Sequence, residues 1–332
     1  FLLGLLSWGC SDKQDKVQQL FDSGTLHLEN REYAQAVGDL TKAIELEANL
    51  IEAFNNRGIA YHELGNYDKA VSDYTKAISI DPSFDRGYFN RSNANYQLRE
   101  WQLCLKDLDI IDHSYRDSSA YHFRLGTVYY QLKNYQLAQA SFSIALKLDP
   151  ENVESYVNRS SVYYDQEDYP RALSDLNVAL KMDPQKPETY NTLALVLMAN
   201  GNPKDAIIMA TKAVELQPDH PFFLNNRGYI YLAMDSLTKA ELDINRSIQL
   251  DPVNAWAYRN KGIWYLKNQQ HDDAARVLEQ AVEIDPEVKE VYYHLGQAYF
   301  LNSQVEAACE TWALGKDRKD KKSEMALGHN CE

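Results

Sequence analysis

The chain is poor in the features that mark a catalyst or a membrane-spanning protein. Its four cysteines, at 10, 104, 309 and 331, make no CxxC pair, so neither a cysteine-ligated metal module nor a disulfide-built scaffold is expected. No HExxH, GxGxxG, P-loop or GxSxG stretch occurs, and the eight histidines are dispersed without carboxylates at ligand spacing. No catalytic residue, metal or cofactor is therefore expected, and the chain reads as a non-enzyme. Its most apolar run, FLLGLLSWGC at residues 1–10, falls short of the roughly 20 residues that a spanning helix needs. Positive charge is also scarce. With 34 Lys and Arg against 48 Asp and Glu the net charge is −14, which argues against nucleic acid as a partner and favours basic ones.

What is present is a period. Prolines stand at Pro82, Pro150, Pro184, Pro218, Pro252 and Pro286, every interval being 34 or, once, 68. The stretch 51–84, IEAFNNRGIAYHELGNYDKAVSDYTKAISIDPSF, shows the unit most clearly. Phe54, Gly58 and Tyr61 share one helical face, and Ala70, Tyr74 and Ala77 share another. Between them Gly65 is placed to end the first helix in a left-handed conformation, and Asp81-Pro82 stops the second. Such a unit cannot bury its own apolar faces and needs copies of itself on both sides.

A 34-residue helix-turn-helix unit with aromatic, Gly, Tyr, Ala, aromatic, Ala and Pro at fixed offsets resembles the tetratricopeptide repeat (TPR) family. Nine units begin at 17, 51, 85, 119, 153, 187, 221, 255 and 289. The resemblance implies an all-α fold, a right-handed superhelical solenoid over residues 17–322, followed by a disordered tail at 323–332. The first unit is atypical, with Ala48 for Pro. The third departs most, with Ser92 for Gly, Cys104 for Ala, Ile111 for Ala and Arg116 for Pro. Cys104 reads as a small buried residue, while the spacing of Cys309 and Cys331 leaves their pairing open.

In this family, positions 2, 5, 6, 9, 12 and 13 of each unit line a concave groove that holds partner proteins or extended peptides. Position 6 here reads Asn56, Asn90, Arg124, Asn158, Thr192, Asn226, Asn260 and His294. Regularly spaced amides suit the main chain of an extended peptide, although Asn-Arg-Gly is also a common variant of the repeat itself. The other groove positions split by half. The C-terminal half offers Leu195, Met198, Phe222, Tyr229, Leu232, Trp256, Ile263, Leu266 and Phe300; the N-terminal half offers polar residues such as Glu52, His62, Glu63, Arg86 and Asn93. An apolar lining that stacking does not require marks a partner site, the other occupants being the chain's own tail or a second copy. The carboxylate clamp of chaperone-binding members is incomplete: Asn56, Arg86 and Asn90 supply part of it, but Phe21 and Thr25 hold its first two positions.

Residues 1–16 read as a tether. An apolar segment, small residues and Cys10, followed by the polar run Ser11-Asp12-Lys13-Gln14-Asp15-Lys16, resemble the end of a bacterial lipoprotein signal, or lipobox. The resemblance implies lipidation at Cys10 and, with Ser11 after it, anchoring at the outer membrane. Ser7 and the bulky Trp8 depart from the usual pattern. The other reading is a helix that caps the first unit or docks on a partner. The expected function is a lipid-anchored scaffold in an envelope complex, with a soluble cytoplasmic adaptor and the non-catalytic arm of a larger enzyme as alternatives.

Overall fold

A computed structural model describes residues 3–331, and side-chain surroundings from Lys13 onward. Every regular element among them is helical. Contacts group the chain into two compact units, residues 1–162 and 163–332.

The first unit holds α1 (Leu3–Glu29), α2 (Tyr33–Leu46), α3 (Ile51–Glu63), α4 (Tyr67–Ile80), α5 (Asp85–Gln97), α6 (Trp101–Ile110), α7 (Asp112–Tyr115), α8 (Ser119–Gln131), α9 (Tyr135–Leu148) and most of α10 (Val153–Asp165). The second continues with α11 (Tyr169–Met182), α12 (Pro187–Ala199), α13 (Pro203–Leu216), α14 (Pro221–Ala233), α15 (Leu237–Leu250), α16 (Ala255–Lys267), α17 (His271–Ile284), α18 (Val291–Leu301), α19 (Val305–Asp317) and α20 (Lys321–Asn330). Within each unit, the two helices of a repeat pack on each other, and the second packs on the first helix of the next repeat. No helix among the described residues is long and apolar enough to cross a membrane.

The local chemistry explains this regularity. The turn inside each repeat has one residue with positive φ at position 15: Arg31, Gly65, Arg99, Lys133, Glu167, Gly201, Asp235, Gln269 and Ser303. A left-handed residue there lets the chain fold back after only three residues, and glycine does so without a Cβ penalty. At the far end, the Asp of each Asp-Pro pair accepts a hydrogen bond from the backbone N–H two residues on. This occurs at Asp81, Asp149, Asp183, Asp251 and Asp285, at 2.9–3.2 Å. The Asx turn fixes the direction in which the next helix starts.

Close packing inside a repeat rests on small residues at position 8. A Cβ on Gly58 would lie 2.6 Å from the Tyr74 ring, and one on Gly126 would lie 2.7 Å from Phe142. Those aromatic rings sit at position 24 and are almost fully buried, each stabilising by roughly 2–3 kcal/mol. Cys104 occupies an Ala position and is wholly buried, in a cluster with Leu108, Ile111, Tyr121 and Val128.

Val17 lies inside α1, which runs unbroken from Leu3 to Glu29, so residues 3–16 continue the first helix of the first repeat. The Cys10 side chain lies outside the described residues. At the other end, residues 323–332, expected as a disordered tail, are helical to Asn330. α20 is held by the Cys309–Cys331 disulfide and by Lys322, whose ammonium lies 2.8 Å from Glu290. Ser323 packs so tightly under Gly315 that a Cβ there would meet its Oγ at 2.2 Å. The short period of the repeat had been exhausted by then, so sequence pattern carried no information on α20.

Candidate interaction surface

The first helices of successive repeats touch one another within each unit, α12 with α14, α14 with α16 and α16 with α18 in the second. In each unit their outward faces therefore form one surface, and the residues expected to bind a partner lie on or beneath the surface of their own unit.

Four of the position-6 asparagines, Asn56, Asn90, Asn226 and Asn260, are engaged by the preceding repeat. Asn90 Nδ2 donates to Asn55 Oδ1 at 2.8 Å, Asn226 to Asn191 at 2.9 Å, and Asn260 to Asn225 at 2.8 Å. Asn56 donates instead to Thr25 Oγ1 at 3.2 Å. Asn158 has no amide five positions into the preceding repeat, which carries Phe123 there, and it bonds Glu154 O in its own helix at 2.9 Å. These bonds set the register between neighbouring repeats. Asn260 is 1 % exposed, and its Oδ1 also accepts two bonds from Arg259, so it serves stacking and offers nothing to a ligand. Asn56, Asn90, Asn158 and Asn226 are half-buried and retain a second amide hydrogen.

The apolar set divides in the same way. Leu232 is 2 % exposed and packs with Ala240 and Ile244, with Ile263 against them. It belongs to the core, because position 12 of this repeat turns toward its own second helix. Met198 and Tyr229 pack on Ala194, Ala206 and Ile230, and Leu266 packs on the cluster around Leu278 and Val291. All three remain partly exposed, as does Leu195. Phe222 and Trp256 stand out at 47 % and 38 % exposed. They hold position 2 in adjoining repeats, on α14 and α16, which touch. Phe300, at 37 %, lies on α18.

Beside Trp256 sits a buried cation. The Arg259 guanidinium lies over the Trp256 ring at 4.9 Å and the Tyr229 ring at 5.3 Å, and it donates to Lys289 O at 3.0 Å. Desolvation lowers its pKa below the usual value. His294, the next repeat's position 6, is pushed down to about 3, first by burial and then by the Arg259 charge. Its Nδ1 has no hydrogen-bond partner among the described residues. Glu290 lies 3.9 Å from its Nε2, but that carboxylate is already held by Lys322.

A recurrent polar device went unread in the sequence. In several repeats the Arg at position 7 grips the Asp 16 residues later on its partner helix through two parallel bonds, as in Arg57 to Asp73, Arg91 to Asp107 and Arg227 to Asp243, at 2.6–2.9 Å. Arg57, Arg91 and Arg159 also reach the hydroxyl 16 residues earlier, on Thr41, Thr75 and Ser143, each at 3.0 Å. The co-occurrence of Arg and Asp at that spacing was the available signal.

Models of the tetratricopeptide repeat match residues 51–84, 123–187, 163–223 and 223–254, and a TPR repeat model matches 265–303. The chain is a tetratricopeptide repeat protein. A chain of such repeats is a protein-interaction scaffold. No curated protein matches it. Among solved structures it is similar to the APC/C hetero-tetramer Cut9-Hcn1, at 14 % identity and TM-score 0.64, over 95 % of this chain and 76 % of that one. It is also similar to an IFIT1 monomeric mutant with Gppp-AAAA, at 18 % and 0.57, over 91 % and 77 %. A thermophilic TPR protein from Thermus thermophilus matches at 20 % and 0.51, over 55 % of this chain and 100 % of the other. At such identities the likeness is one of fold.

Proposed function

We propose that this tetratricopeptide protein is a non-catalytic scaffold that holds a partner protein or an extended peptide on the first-helix surface of its second unit. The observation that carries the reading is the pair Phe222 and Trp256. They are large aromatics at matching positions of touching helices, partly exposed where the stacking of repeats does not need them. Aromatic anchors of this kind dominate interface energies, and the half-exposed amide of Asn226 lies on the same helix as Phe222 to bond a peptide main chain. A net charge of −14 favours a basic or neutral partner over nucleic acid.

The proposed setting is the bacterial envelope, with a lipid at Cys10 as membrane anchor. The Cys309–Cys331 disulfide supports an oxidising compartment over a cytoplasmic adaptor. Two experiments test these readings. Peptides selected on the immobilised protein should lose about tenfold or more in affinity for F222A/W256A, with thermal unfolding nearly unchanged. Equal loss of binding and stability would place both rings in the core. Radioactive palmitate should label the bacterial wild-type protein and not C10S; equal labelling, or none in either, would remove the anchor.

A further inference from the structure

A cleft of about 540 Å³ opens in the first unit where α6 meets α8. It lies where the chain omits its own arginine. In the second and third repeats, Arg57 and Arg91 lie in the corresponding place. Each passes from the hydroxyl at position 25 of the preceding repeat, Thr41 or Thr75, to the Asp at position 23 of its own. The Arg57 guanidinium also lies over the Tyr61 ring at position 11, at 5.9 Å. The fourth repeat follows the shorter α6 and the extra turn α7, and it lacks the occupant. Leu125 replaces the arginine, Ser141 replaces the Asp, and the ring at position 11 is Tyr129. Asp109 stands where the others carry a threonine.

The cleft is lined by Leu125, Leu105, Tyr129, Asp109 and Asp112. The Asp109 carboxylate is exposed and has no hydrogen bond or ion pair among the described residues, whereas Asp112 is held by Arg116 at 3.0 Å and by the Tyr121 hydroxyl at 3.3 Å. Burial first, and then the negative charge of Asp112, push the Tyr121 phenol pKa up. Lys106 borders the same cleft without an ion pair among the described residues. An aliphatic floor, a ring face and an unpaired carboxylate are what a guanidinium on a flexible stem needs.

We propose that this cleft receives an arginine side chain of a partner protein, in the place that Arg57 and Arg91 fill from within the chain. The site is independent of the aromatic surface of the second unit. Calorimetric titration with Ac-Ala-Arg-Ala-NH2, and with its citrulline and lysine counterparts, tests it on the full chain. The arginine peptide should bind saturably, and citrulline should weaken it about tenfold or more, since the charge-assisted bonds are lost. D109N should weaken the arginine peptide to a similar extent. L125R/S141D, which rebuilds the internal pair, should abolish binding while the protein stays folded, and F222A/W256A should leave it unchanged. Absence of saturable binding, equal binding of the lysine or citrulline peptide, or binding that D109N leaves intact would each overturn the proposal.

Discussion

Truncating Asp107 to alanine removes the acceptor for two charge-assisted bonds from Arg91, at 2.9 and 2.7 Å. The Arg91 side chain is 19 % exposed and that of Asp107 3 %, so the variant strands a largely desolvated cation whose remaining bond is to Thr75. Breaking a buried pair on one side costs about 3–5 kcal/mol. The partial exposure of Arg91 lets water recover some of that, which places the expected loss at about 2–3 kcal/mol. Asp109, two residues on, is exposed and unpaired among the described residues, so D109A should change stability by less than about 0.5 kcal/mol. Urea unfolding gives the global values, and hydrogen exchange of α5 and α6 shows where the loss falls, since a solenoid can open locally. Removing both partners in R91L/D107A should cost less than the two single losses added, because no stranded charge remains. The reasoning fails if D107A costs no more than D109A, or if the single effects simply add.

Two further outcomes follow from the C-terminal repeats. The folded His294 pKa lies near 3, below the roughly 6.5 of an unfolded histidine. The unfolded chain therefore takes up this proton first, and stability is lost as pH falls below about 6.5. From pH 7 to 5 the wild type should lose about 2 kcal/mol more than H294N; parallel pH profiles would show that His294 is not buried. Separately, C331S opens the 22-residue link between Cys309 and Cys331 and should destabilise the C-terminal repeat by about 3 kcal/mol. Hydrogen exchange in α20 should rise with it, and unchanged protection would mean that packing alone holds that helix.

The period of 34 determined most of the fold, because each repeat is written locally: Gly65 for the left-handed turn, Asp81-Pro82 for the stop, Gly58 for the close approach of Tyr74. Those are properties of short segments, and a single copy states them. The sequence also named Phe222 and Trp256 as positions that stacking does not need. What required tertiary structure were facts that depend on a neighbour. Leu232 and Asn260 share repeat positions with exposed residues elsewhere, yet α15 covers one, while Asn225 and Arg259 enclose the other. The pairing of Cys309 with Cys331 depends on where α20 docks, and no repeat rule governs that. The cleft beside Leu125 lies where the shortened α6 meets α8, a junction that no single repeat describes. Periodicity decides which side chains point the same way; only packing decides which of them are covered, bonded or left open.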